Sequence, residues 1–120
     1  MANELEVSLD LYFKKGDAPS YEIREFKKHT ITGNNNLTGY VQEIGTSGTN
    51  LTKPTGLGTP RYLYLKNLDP ANQVKYGDET TQAGYLAKSE FAFTGWCASQ
   101  VKCVASSASL KVAYGMWDKT

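Results

Sequence analysis

The sequence holds one histidine, two cysteines and no apolar run near the ~20 residues that a membrane span requires. Each scarcity removes a class of function. Any Ser-His-Asp or Cys-His site would have to use His29, which stands between Lys28 and Thr30. Beside two lysines on an extended stretch, that ring reads as a surface residue. Cys97 and Cys103 fit no zinc spacing and have no third or fourth ligand beside them. They read as two small buried residues kept reduced in a cytoplasm, with a disulfide across a hairpin as the alternative. No metal and no cofactor is expected.

An excess of charge of one sign is missing too. Thirteen Lys and Arg face twelve Asp and Glu, a formal net charge of +1. The basic residues come as short pairs, Lys14-Lys15 and Lys27-Lys28, with acids nearby. Neutralising phosphates supplies most of a nucleic-acid binder's affinity, so this balance speaks against a nucleic-acid partner. The acids are scattered and nominate no facing carboxylate pair of the glycosidase kind. Gly56-Leu57-Gly58 lacks the strand-loop-helix setting and the Lys of a phosphate cradle. The expectation is a protein that is not an enzyme.

The opening Met1-Ala2-Asn3-Glu4-Leu5-Glu6 is acidic and alternating, unlike a secretory leader, so synthesis in a cytoplasm is expected. In that setting the sequons at Asn36 and Asn50 read as turn residues rather than glycan acceptors.

Helical periodicity is the last absence, since nowhere do eight or more residues hold a 3.6 period. Alternation takes its place. Leu5, Val7, Leu9, Leu11 and Phe13 fall on one face of a strand over Glu4 to Phe13, and Glu4, Glu6, Ser8, Asp10 and Tyr12 on the other. That period of two predicts a strand covering a core on one side. Further strands are expected at Ser20–Phe26, His29–Thr32, Leu37–Ile44, Arg61–Leu68, Gln73–Tyr76, Gly84–Ala87, Glu90–Thr94, Gln100–Ala105 and Leu110–Trp117. Gly33-Asn34-Asn35-Asn36 reads as a turn. Asp69-Pro70-Ala71-Asn72 reads as a type I turn that folds Gln73–Tyr76 back as a hairpin. The Thr/Gly/Pro-rich stretch Asn50–Pro60 reads as a loop crossing between sheets, which suits Greek-key or jelly-roll topology. The expected fold is all-β: a β-sandwich or jelly-roll-like small barrel of about 7–10 short, mostly antiparallel strands. One β-sandwich domain over residues 1–120 is expected.

Aromatics are abundant: eight Tyr, four Phe and two Trp. Phe91 and Phe93 alternate in a way that assigns them to the core. Tyr12, Tyr62, Tyr64, Trp96 and Trp117 fall on faces or strand ends that could be open. There they would serve as cross-strand pairs, as an intersubunit surface, or as a platform for a ligand such as a sugar ring.

The run Arg61-Tyr62-Leu63-Tyr64-Leu65-Lys66-Asn67-Leu68-Asp69 resembles a recurrent segment of small structural proteins of tailed bacteriophages. In these, an aromatic-rich strand ends in Asn-Leu-Asp and a turn, here Asn67, Leu68 and Asp69, followed by a short strand ending in Gly, here Val74 to Gly77. A short apolar strand and a Lys-containing corner come before an aromatic strand, here Leu86 to Phe93, and an alternating strand with an acidic tail closes the chain, here Leu110 to Asp118. The usual Lys-Ala-Gly-Glu corner appears as Ala87-Lys88-Ser89-Glu90, without its Gly. The resemblance implies a virion component made in the host bacterial cytoplasm, most simply a capsid decoration (cement) subunit on the lattice of the major capsid protein. It also implies a homo-oligomer, with a trimer favoured. A neck, tail or fibre component is the nearest alternative, and a carbohydrate-binding β-sandwich module is the alternative from another class.

Overall fold

The computed structural model describes residues 3–14, 16–17, 19–31 and 37–117. These residues form ten strands and no helix, with every strand pair antiparallel. The all-β expectation is met. The chain divides into two compact units, Met1–Thr32 and Gly33–Thr120.

The first unit is a ribbon of two 11-residue strands, β1 (Asn3–Phe13) and β2 (Tyr21–Ile31). β2 runs unbroken through both the Ser20–Phe26 and His29–Thr32 stretches, because each of its residues from Tyr21 to Ile31 has a partner on β1. The register places Leu5, Val7, Leu9, Leu11 and Phe13 on one face together with His29, Lys27, Glu25, Ile23 and Tyr21. The opposite face carries exposed ion pairs: Arg24 to Glu22 at 2.7 Å and to Asp10 at 3.6 Å, and Lys28 to Glu4 and Glu6 at 3.5 Å each. The two glutamates hold the Lys28 ammonium above its ordinary value.

The expectation that the first strand covers a core is corrected here. A two-stranded ribbon has no second layer of its own. Leu9, Leu11 and Phe13 remain 48%, 42% and 59% exposed, and none of the five apolar residues belongs to the buried cluster.

The second unit holds two four-stranded sheets. The remaining strands are β3 (Leu37–Ile44), β4 (Thr49–Asn50), β5 (Tyr62–Asn67), β6 (Val74–Gly77), β7 (Gly84–Leu86), β8 (Phe91–Gly95), β9 (Lys102–Ala105) and β10 (Leu110–Trp117). One sheet runs β3-β10-β5-β8 and the other β4-β9-β6-β7. The chain passes repeatedly between them, and residues 51–61 cross from β4 to β5 as the loop composition suggests. That crossing is pinned by Tyr114, whose hydroxyl donates to the Thr52 carbonyl at 2.8 Å; burial pushes its pKa up to about 12. Leu51, Leu57 and Pro60 anchor the same loop in the interior.

Alternation decides what each strand buries. β5 turns Leu63, Leu65 and Asn67 inward, and β10 turns Leu110, Val112, Tyr114 and Met116 inward. Ile44, Val74, Leu86, Val101, Cys103 and Ala105 complete the core around them. The cysteines are both free: Cys103 is buried, its thiol pushed up to about 12 by that burial, whereas Cys97 is exposed. The reading of two buried cysteines therefore holds for one of them. No disulfide joins the pair.

The hairpin expected at Asp69-Pro70-Ala71-Asn72 is also corrected. β6 pairs with β7 and β9, not with β5, so the turn carries the chain from one sheet to the other. A turn signal fixes local backbone shape but leaves the next strand's partner open. The Gly33–Asn36 turn lies outside the described residues.

Candidate functional site

The sheet β3-β10-β5-β8 has a second face, and it is aromatic. Because Leu63 and Leu65 point inward, Tyr62, Tyr64 and Lys66 point out. On β10 the same alternation turns out Lys111, Ala113, Gly115 and Trp117. Register then places Tyr64 opposite Gly115 on one side and Phe93 on the other, with Lys66 opposite Phe91 and Tyr62 opposite Trp117. Phe91 and Phe93 therefore share the outward face of Tyr62 and Tyr64.

The rings pack against one another along this face. Tyr62 stacks on Phe93 with centroids 6.2 Å apart, and Tyr64 on Phe91 at 6.4 Å. Phe93 meets Trp117 at 6.5 Å and an interplanar angle of 50°. Such pairs hold neighbouring strands together and contribute about 0.5–1.5 kcal/mol each beyond area burial. They do not remove the rings from solvent, since Phe91 stays 68% exposed and Phe93 36%. Val41, on the edge strand β3, is 49% exposed on the same face.

The assignment of Phe91 and Phe93 to the core is thus a correction. Alternation tells which residues share a face, not which face is inside. Here the small Ala92 packs against the core and the two phenylalanines point away from it. Between Tyr64 and Trp117 the outward face dips into an open, mostly apolar groove. Its floor is Ala113 and Gly115, and its edge is Gly39. Gly39 adopts φ 70°, a left-handed conformation that glycine tolerates, at the irregularity where β3 shifts register on β10.

Of the five aromatics singled out in the sequence, three meet on this face: Tyr62, Tyr64 and Trp117. The other two do not. Trp96 packs against the core, with its ring 6.5 Å from Tyr76 and its indole N–H donating to the Gln100 carbonyl at 3.2 Å. Tyr12 lies on the ion-paired face of the ribbon, opposite Glu22, and is 62% exposed.

The Asn67-Leu68-Asp69 motif is a structural corner. Asn67 is fully buried, and its side-chain amide donates to the carbonyls of Asn72 at 2.8 Å and Ala87 at 3.1 Å. Its side-chain oxygen accepts from the Asp69 amide at 3.0 Å. Asp69 in turn accepts from the Ala71 and Asn72 amides at 2.8 and 2.7 Å, and these bonds hold its carboxyl below the usual 3.8. Leu68 is 42% exposed, while its amide donates to the Lys111 carbonyl at 3.0 Å. The motif ties β5, the turn, the β7–β8 corner and β10 together, and Leu68 and Asp69 also line an open pocket with Glu43, Pro70 and Lys111.

Among the described residues, no group of three His, Cys, Asp or Glu side chains is placed to hold a metal ion. No helix among the described residues is long and apolar enough to cross a membrane. The chain matches no family model, no characterised protein and no solved structure.

Proposed function

We propose that this protein is a bacteriophage virion structural subunit that works by protein contact through the aromatic face of β5, β8 and β10. The observation that carries the reading is the exposure of Phe91 and Phe93 beside Tyr64 and Trp117 on one continuous sheet face. Aromatic side chains lose little rotamer freedom on contact and bury a large area, so a patch of them is suited to a protein partner. The Arg61–Asp69 resemblance supports the virion as the setting. Within it, a capsid decoration subunit bound to the major capsid protein lattice, as a homo-oligomer and most simply a trimer, is the reading we favour over a neck, tail or fibre part. A single contact of this kind is modest, and repetition over a lattice makes attachment firm.

The sugar-binding alternative is less well supported by the same geometry. Stacking on a pyranose ring asks for open, coplanar ring faces. Here Tyr62 and Tyr64 stack on their phenylalanine neighbours, Trp117 is tilted 50° from Phe93, and Trp96 is engaged in the interior.

The testing experiment is co-sedimentation of the full chain with purified particles of the phage that encodes it, at low and high salt. Apolar contact predicts retention at high salt, because screening weakens charge pairs and not burial. A chain found only in the soluble fraction, or one that binds a glycan array as a monomer, would overturn the reading.

A further inference from the structure

We propose that the β1–β2 ribbon is an arm that pairs, apolar face to apolar face, with the same ribbon of a second copy of this chain. A two-stranded ribbon is marginal in water without a covering layer. Its ion-paired face is solvated, with Tyr12 and Phe26 exposed among the pairs. The opposite face leaves Leu9, Leu11, Phe13 and Tyr21 between 42% and 60% exposed.

The charge pattern on that face identifies the occupant. Its cross-strand rows run Leu5/His29, Val7/Lys27, Leu9/Glu25, Leu11/Ile23 and Phe13/Tyr21. The β1 column is apolar from Leu5 to Phe13, whereas the β2 column carries one cation and one anion in adjacent rows, with His29 beyond them opposite Leu5. A twofold axis across the strands, between the Val7/Lys27 and Leu9/Glu25 rows, lays a second ribbon over the first. Each β1 then lies antiparallel over its counterpart, with Val7 over Leu9 and Leu5 over Leu11. Lys27 of each copy meets Glu25 of the other, twice, and Phe13 and Tyr21 stand at the outer ends. A wholly apolar partner would strand both charges against it, at a desolvation cost. A partner charged with one sign would match only one of them. The face is complementary to itself, as a twofold contact requires.

An 11-residue ribbon is ~36 Å long and ~10 Å wide, so the overlap buries at most a few hundred Å² per copy. That lies at the low end for specific interfaces and describes a weak pair, strengthened wherever copies are already held side by side. The contact is independent of the virion reading and of any contact made by the aromatic face.

Sedimentation equilibrium of the full-length chain tests it with two charge variants. Glu25→Lys sets lysine against lysine, and Lys27→Glu sets glutamate against glutamate. Each alone should weaken self-association by ~10-fold or more at low salt. An equimolar mixture of the two variants should recover it as a heteropair, and the double swap Glu25→Lys/Lys27→Glu should recover it as a homopair. Both positions lie on the exposed ribbon, so an unchanged melting curve for the second unit separates lost pairing from misfolding. Variants that associate like the wild type, or no recovery on mixing, would overturn the proposal. So would a wild-type chain that stays monomeric at the highest soluble concentration.

Discussion

The side-chain amide of Asn67 donates to the backbone carbonyl of Asn72 at 2.8 Å, and this bond closes the corner through which the chain leaves one sheet for the other. The same amide serves Ala87 O, and the Asn67 side-chain oxygen serves the Asp69 amide, so a fully buried polar group is satisfied on every side. Removing it strands several partners at once. Asn67→Ala is expected to cost ~2–4 kcal/mol in urea unfolding. A cost within experimental error would mean that the corner is held by something else.

Ser89 is the one described non-glycine residue with positive φ, at 61°. A Cβ is strained there, while the corner itself is closed by Glu90, whose amide donates to the Ala87 carbonyl and whose carboxylate accepts from the Ala87 amide. Ser89→Gly should therefore raise stability by ~0.5–1 kcal/mol, and Ser89→Val should lower it. Thermal melts of the two variants check the opposite signs.

Asp69 and Asp78 are both held below the usual 3.8 by backbone amides: Ala71 and Asn72 donate to the first, Thr80 and Thr81 to the second. A folded value below the unfolded one means that each carboxylate stabilises the fold above the unfolded pKa. That contribution is lost as pH falls through the folded value. Asparagine keeps the accepting oxygen and removes the titration. Melting temperature followed from about pH 5 down to about pH 2 should therefore fall less steeply for Asp69→Asn/Asp78→Asn than for the wild type. Parallel curves would contradict the assignment.

Leu9 and Leu65 both sit in alternating strands, but only Leu65 is buried. Leu65→Ala should cost ~2–5 kcal/mol through the cavity it leaves. Leu9→Ala should leave the main unfolding transition unchanged, because the second unit has its own core. A large cost for Leu9→Ala in a chain kept monomeric would mean that the ribbon is part of that core.

These two leucines also mark how far the sequence reached. Extended stretches bounded by turn residues mark the strands well: β1, β3, β5, β6, β7, β8, β9 and β10 all overlap expected strands. The two-residue β4 was missed, because a pair of residues has no period. What alternation does not carry is which face meets a second layer. That one gap accounts for both corrections, because the period of two leaves open whether Leu9 and its neighbours, or Phe91 and Phe93, face a core. Strand partnership has the same limit, so the Asp69–Asn72 turn was recognised while its outcome, a change of sheet, was not. Three members of the aromatic face were legible from strand alternation; the other two needed the register of β5 on β8.

The most direct test of the aromatic face as the contact surface is the amount of chain left on gradient-purified phage particles after a high-salt wash, for wild type against Phe91→Ser/Phe93→Ser. Both positions point away from the core, so the variant should keep its fold, with a melting temperature lowered only by the lost ring pairs. The account predicts that the wild type stays on the particles and the variant is washed away. Equal retention of the two, or no wild-type chain on the particles before the wash, would contradict it.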